Sequence, residues 1–184
     1  MRKLSIFHSK RFYLIASISL FIILVGLSAF LYISNLPDYQ DDPQTLEMLT
    51  KVFPEAKYYL FDEDSKLYTV FNNTKNFLLL KTKIGYAFYL TTYGYVSRIE
   101  ILVGLRDKET FENIFVVQQA GIRGAPVKEK DFTDKFIGLK IEDCILRGYS
   151  NQVGVDGISG ATTTSSAVIK AIREASLEKV KSIE

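Results

Sequence analysis

The sequence predicts an α+β fold. A single N-terminal transmembrane helix precedes one extracytoplasmic domain, built as a twisted, mostly antiparallel sheet with a C-terminal helix. Three observations predict it: a long uncharged apolar run near the N-terminus, a series of short aromatic and β-branched runs after it, and one sustained helical pattern at the end. With 184 residues, 47% hydrophobic and 24% charged, the chain has material for one ordinary domain.

The apolar run is Phe12 to Ser34. As a helix, 23 residues reach about 34 Å at about 1.5 Å per residue, against a hydrocarbon core of about 30 Å. Tyr13 and Tyr32 stand near its two ends, where interfacial aromatics are expected. Cleaved signal peptides carry shorter apolar regions, so the length favours an uncleaved anchor. Arg2, Lys3, Lys10 and Arg11 precede the run, and Asp38, Asp41 and Asp42 follow it. The positive-inside rule then gives a cytoplasmic basic tail over 1–11, a transmembrane helix over 12–34 and an exterior remainder. That places the chain in the cytoplasmic membrane as a single-pass protein with its main domain periplasmic or extracellular. Residues 35–43 read as a linker with two prolines, and 44–184 as the domain.

Within the domain, Leu46, Leu49 and Val52 set a short helix over Gln44–Phe53, ended by Pro54. Strand-like runs follow at Lys57–Phe61, Leu67–Asn72, Phe77–Lys81, Gly85–Thr91, Tyr95–Val103 and Asn113–Gln118. Ile99, Ile101 and Val103 alternate with Arg98, Glu100 and Leu102, which reads as a half-buried strand. A short helix is expected over Asp131–Ile137. A closing helix is expected over Thr163–Ile183, with Val168, Ala171, Ile172 and Ala175 on one face. Cys144, Tyr58, Tyr59, Phe61 and Phe88 read as core or interface residues.

Composition removes several chemistries. One Cys excludes an internal disulfide framework, a Cys-rich zinc site and a four-Cys iron–sulfur cluster. His8, in the basic tail, is the single His, so the domain has no Ser-His-Asp triad and no His-ligated metal or haem. Beyond Ser34 the chain has 19 basic and 21 acidic residues, a balance of −2. The basic excess is thus a topology signal, and no nucleic-acid partner is expected.

The informative segment is Asp156-Gly157-Ile158-Ser159-Gly160-Ala161-Thr162-Thr163-Thr164-Ser165-Ser166. It is a small-residue loop opening a helix, with hydroxyls clustered where backbone N–H groups lack partners. Such a helix start favours a phosphate. No Lys completes a P-loop, and G-x-G-x-x-G is absent. From the residues alone, an ordinary N-cap with Ser and Thr competing for the cap is the favoured reading, because N-caps of this kind are common.

The run Asp156 to Thr162, followed by Thr163-Thr164-Ser165, resembles the flavinylation motif of the FMN-binding domain family. That family includes the G subunit of the Rnf electron-transport complex and the C subunit of the sodium-translocating NADH:quinone reductase. The resemblance implies FMN joined through its phosphate to Thr162. It implies further cofactor-binding residues at Asp156, Gly157, Ser159, Gly160, Ala161, Thr163 and Thr164. Thr162 is a weak nucleophile with no evident base nearby, and the resemblance implies a separate magnesium-dependent flavin transferase that uses FAD and releases AMP. Asp156 has two readings, a contact to the transferase's metal or an Asx-type cap of the turn.

A second stretch is similar to the family's strand pair: Gly85-Tyr86-Ala87-Phe88, then Gly94 through Leu105. Val96 and Ser97 stand where the family has two glycines. Gln118-Gln119-Ala120-Gly121-Ile122-Arg123-Gly124 takes the place of a Glu-Thr-Pro-Gly-Leu-Gly loop near the flavin, which implies roles there for Gln119, Gly121 and Arg123. Arg123 either stabilises reduced anionic flavin or is a solvated surface residue. Phe132 to Gly138 matches the family's short Phe-rich helix, and the resemblance runs roughly from Gly85 to Ala175.

The implied activity is that of an electron carrier within an Rnf-like or respiratory membrane oxidoreductase complex, with no turnover site of its own. Its implied partners are the other membrane subunits, the transferase and the lipid bilayer. Two other readings stay open: a stand-alone extracytoplasmic flavoprotein serving a small or protein acceptor, and a non-redox structural or sensory membrane protein.

Overall fold

The computed structural model describes residues 3–34, 39–72, 82–148 and 153–183. The chain divides into two units, Met1–Asp38 and Tyr39–Glu184.

The first unit is one helix, α1 (Lys3–Ser34), which extends through the basic tail as well as the apolar run. Its segment Tyr13–Tyr32 has a mean hydropathy of 2.6 and is long and apolar enough to cross a membrane. The serines inside it are satisfied locally. Ser17, Ser19 and Ser28 donate to the carbonyls of Leu14, Ala16 and Val25, each at 2.9 Å. Hydroxyls bonded back to their own helix are the form of polar group an apolar solvent tolerates.

The second unit is built on a five-stranded antiparallel meander, β1 (Tyr58–Asp62), β2 (Leu67–Asn72), β3 (Thr82–Tyr93), β4 (Arg98–Leu105) and β5 (Phe111–Gln119), in that spatial order. The expected strand at Phe77–Lys81 and residues 35–38 of the expected linker lie outside the described residues. Gln40 already belongs to the folded unit, exchanging two 2.9 Å backbone hydrogen bonds with Tyr59. Two residues on, Asp42 caps α2 (Pro43–Leu49), its carboxylate accepting the Thr45 N–H at 2.8 Å. This helix is shorter than its periodicity suggests. Lys51, Val52 and Phe53 continue in turns, and that brings Val52 and Phe53 down onto the sheet.

Both faces of the sheet are covered, which corrects the half-buried reading of the Tyr95–Val103 run. Ile99, Ile101 and Val103 of β4 pack with Phe88 and with Val168, Ile169 and Ile172 of α4 (Thr162–Val180). On the opposite face Leu102 is fully buried with Leu49, Val52, Phe53, Val70 and Ala87. A strand with neighbours on both edges and layers on both faces loses its alternation. Of the aromatic residues expected inside, Phe88 and Tyr59 are buried while Tyr58 and Phe61 are half-buried.

After β5 come a 3₁₀ helix over Ile122–Lys128, α3 (Lys130–Thr133) and a 3₁₀ turn over Asp134–Phe136. The last two fill the expected short-helix region, and the three together insert Val127, Phe132 and Phe136 into the core. Cys144 lies in the same core, and burial pushes its thiol up to about 12.

Candidate functional site

The site is the head of α4. A parallel bridge between Leu146 and Val155 leads the chain into it, with Arg147 N–H bonded to Val155 O at 2.9 Å. Asp156 follows. Its carboxylate reaches Arg147 at 3.4 Å and its carbonyl accepts from Lys135 Nζ at 3.3 Å. The carboxylate is thus paired with a guanidinium across the bridge rather than closing an Asx-type cap over its own turn.

The loop is fastened to the helix by Ser165. Its hydroxyl is fully buried, accepts the Ile158 N–H at 3.1 Å and lies 3.2 Å from the carbonyls of Ala161 and Thr162 as a donor. A Cβ on Gly157 would lie 3.1 Å from Leu146 Cδ1 and 3.4 Å from Ser165 Oγ. Ser159 and Gly160 form an exposed turn, and Gly160 takes φ +77, a conformation that costs a residue with a Cβ.

Among the described residues no hydroxyl caps the helix. The N-cap is Ala161, with no side-chain hydrogen bond to the first turn, so the expectation of a Ser or Thr cap is corrected. Ser165 is spent on Ile158, and Thr162 donates to Ile158 O at 3.3 Å. The first helical rung is Ser165 N–H to Ala161 O at 2.9 Å, which leaves the N–H groups of Thr162, Thr163 and Thr164 ahead of the ladder. A cavity of about 180 Å³ opens there, lined by Tyr95, Gly160, Ala161, Thr162, Thr163 and Thr164. Thr162 and Thr163 are exposed. An accessible hydroxyl beside uncapped N–H groups at the positive end of a helix dipole fits a phosphate ester.

Thr164 differs from its neighbours. It is 2% exposed, and its Oγ1 accepts the Tyr95 N–H at 3.3 Å. A Cβ on Gly94 would lie 2.9 Å from its Cγ2, and one on Gly124 would lie 3.1 Å from the same methyl. The β3–β4 turn and the segment after β5 thus meet on this one side chain.

Gln119 is buried at the end of β5, and its amide nitrogen donates to Gly121 O and, at 3.5 Å, to Ser97 Oγ. It ties the segment after β5 to the β3–β4 turn. Gly121 is half-buried against Ser97 and Gln119. The side chains of Ile122 and Arg123 lie outside the described residues. The structure thus gathers Thr162, Thr163, Thr164 and Ala161 at one cavity. It sets Asp156 and Gly157 behind the loop and Gln119 and Gly121 beside the neighbouring turn. Sequence reasoning missed Tyr95, whose hydrogen bond to Thr164 spans 69 positions and leaves no local signal. Among the described residues no group of His, Cys, Asp and Glu is placed to hold a metal ion.

Residues 94–176 match the model of the FMN-binding domain family. No curated protein matches the chain. Among solved structures the chain is similar to the C subunit of the Na(+)-translocating NADH-quinone reductase from Parabacteroides distasonis ATCC 8503. Identity is 20% over 73% of this chain and 68% of that one, with a TM-score of 0.50. NqrC of Shewanella oneidensis is also similar, at 16% identity over 70% of each chain and a TM-score of 0.49. The matched stretch begins at Gly94 and contains the whole of the site, from Tyr95 to Thr164. Over these residues the chain is similar to the FMN-binding domain family.

Proposed function

We propose that this chain is a membrane-anchored electron-transfer flavoprotein that carries FMN on Thr162 through a phosphodiester, within an Rnf-like or respiratory oxidoreductase complex. One observation carries the reading: the Thr162 hydroxyl is exposed at a helix start whose N-cap, Ala161, makes no side-chain cap hydrogen bond. A Ser or Asp at the cap position would stabilise the helix by about 1 kcal/mol over Ala161. A tethered phosphate would supply that stabilisation from outside, contributing about 0.3–1 kcal/mol through the dipole.

Among the described residues no base lines the cavity beside Thr162, whose hydroxyl bonds to a backbone carbonyl, Ile158 O. A flavin transferase acting on FAD is therefore the proposed agent: the Thr162 oxygen takes the flavin phosphate, its proton is released, and AMP leaves. FMN supplies the redox chemistry once attached, and the chain's residues supply position and charge. Asp156, Gly157, Ser159, Gly160 and Ala161 shape the acceptor loop, and Gln119, Gly121 and Arg123 belong to the segment facing the flavin. The apolar helix anchors the chain in the cytoplasmic membrane with its N-terminus inside and the domain outside, where a covalent link prevents loss of the cofactor.

A second reading, a stand-alone extracytoplasmic flavoprotein, is favoured by Val96, Ser97 and Gln118–Ala120, which depart from the family's pattern in both segments near the flavin. Co-purification from membranes separates the two: integral subunits accompany a complex member and are absent from a solitary carrier.

The experiment is co-expression of the full chain with a flavin transferase, followed by a denaturing gel under ultraviolet light. Fluorescence is expected for the wild type and none for Thr162→Ala. An equally fluorescent Thr162→Ala variant, or a dark wild type beside a labelled control protein, refutes covalent attachment at Thr162.

A further inference from the structure

We infer that Thr164 is a positioning residue for Thr162, holding the Tyr95 turn against the head of α4 and so fixing the cavity in which Thr162 is modified. This rests on the proposed attachment of flavin to Thr162. By its position in the motif Thr164 reads as a cofactor contact. Its surroundings assign a different role. The side chain is 2% exposed, whereas Thr162 and Thr163 are exposed. Its hydroxyl accepts the Tyr95 N–H and so is committed to the β3–β4 turn.

The geometry around it is tight on two sides. Gly94 and Gly124 approach so closely that a Cβ on either would come within 2.9 or 3.1 Å of the Thr164 methyl. The residue therefore has two separable functions. The methyl fills the junction between the two loops, and the hydroxyl holds Tyr95. Tyr95 and Thr162 line the same cavity. Releasing the turn would change one wall of that cavity while leaving the helix, the loop and Thr162 itself in place.

Isosteric replacement isolates the hydroxyl. Thr164→Val keeps the methyl in the junction and removes the acceptor for Tyr95 N–H. Thr164→Ser keeps the acceptor and removes the methyl. In full-length protein, single-turnover flavin attachment with saturating transferase and FAD is expected to slow about tenfold in Thr164→Val, the scale of one lost hydrogen bond acting only on productive geometry. Thr164→Ser is expected to stay within about twofold of wild type on the same scale. In protein without flavin, hydrogen exchange of residues 94–97 should quicken in Thr164→Val and remain slow in Thr164→Ser, with the rest of α4 unchanged.

Equal attachment rates for Thr164→Val and wild type overturn the positioning role. So does unchanged exchange of residues 94–97, because the clamp is then not made by this hydroxyl. A wild-type chain that takes no flavin refutes the proposed attachment instead, and the exchange measurement still decides whether Thr164 holds the turn.

Discussion

Replacing Gly124 by Ala tests how rigidly the segment after β5 is braced. Gly124 is buried and has no positive φ, so the backbone itself accepts a side chain. The obstacle is local: a new Cβ would lie 2.6 Å from Gln119 Nε2 and 3.1 Å from Thr164 Cγ2. The end of a glutamine ordinarily moves aside at little cost. This one donates to Gly121 O and Ser97 Oγ, so moving it sacrifices both bonds. Two hydrogen bonds at about 0.5–1.5 kcal/mol each, offset by about 0.4–1 kcal/mol from the stiffer unfolded chain, leave a net loss of about 1–2 kcal/mol. For a domain of this size that lowers the melting temperature by about 3–6 °C. Thermal unfolding of the full chain in detergent reads it.

The decisive comparison is a double-mutant cycle with Gln119→Ala. Without the amide in the way, Gly124→Ala should cost less than about 0.5 kcal/mol or become mildly stabilising. If its cost is the same with and without Gln119, the two residues are not coupled and Gln119 does not brace the segment.

Cys144 should resist alkylation in the native protein at pH 8 and react at once in denaturant, since burial raises its thiol to about 12; rapid native labelling would contradict its place in the core. The raised value also means that its contribution to stability is complete below the ordinary thiol range and fades as pH climbs toward 12. Asp107 carries the opposite sign. Burial pulls its carboxyl up, but the N–H groups of Glu109 and Thr110, at 2.8 and 2.7 Å, outweigh that and hold its pKa below the ordinary value. Its contribution is therefore present above about pH 4 and lost as pH falls through the lowered value; Asp107→Asn should flatten the acid limb of a stability–pH curve. Phe88→Ala, at a fully buried position on β3 in the core shared with α4, should cost about 3–5 kcal/mol by chemical denaturation; a loss below about 1 kcal/mol would mean that this core repacks freely.

Much of the architecture was legible in the sequence because its signals are local. An uncharged run as long as Phe12–Ser34 has few other fates. Turn residues separate the strand runs and so mark the strands; their order, a meander pairing each strand with its sequence neighbour, comes from the structure alone. The period of Val168, Ile172 and Ala175 sets the buried face of α4. Small residues and hydroxyls marked a loop opening a helix, and the resemblance of Asp156 to Thr162 to the family's flavinylation motif, rather than the residues alone, singled that loop out.

The misreadings have a common cause. Burial on the second face of β4 depends on Val52 and Phe53, which reach Leu102 from a distant part of the chain. Residues near a helix start are read as caps, yet Ser165 is drawn to Ile158 and Asp156 to Arg147, leaving Ala161 at the cap. A local pattern shows which groups are able to cap but cannot say which have been claimed by other segments. The apolar N-terminal helix, the five described strands and the loop bearing Thr162 follow from the sequence, because charge, periodicity and turn chemistry act over a few residues. Only the tertiary structure decided that Gly94, Tyr95, Gln119, Gly124 and Thr164 converge beside that threonine, because hydrogen bonds and close contacts between distant segments exist only once the sheet has closed against α4.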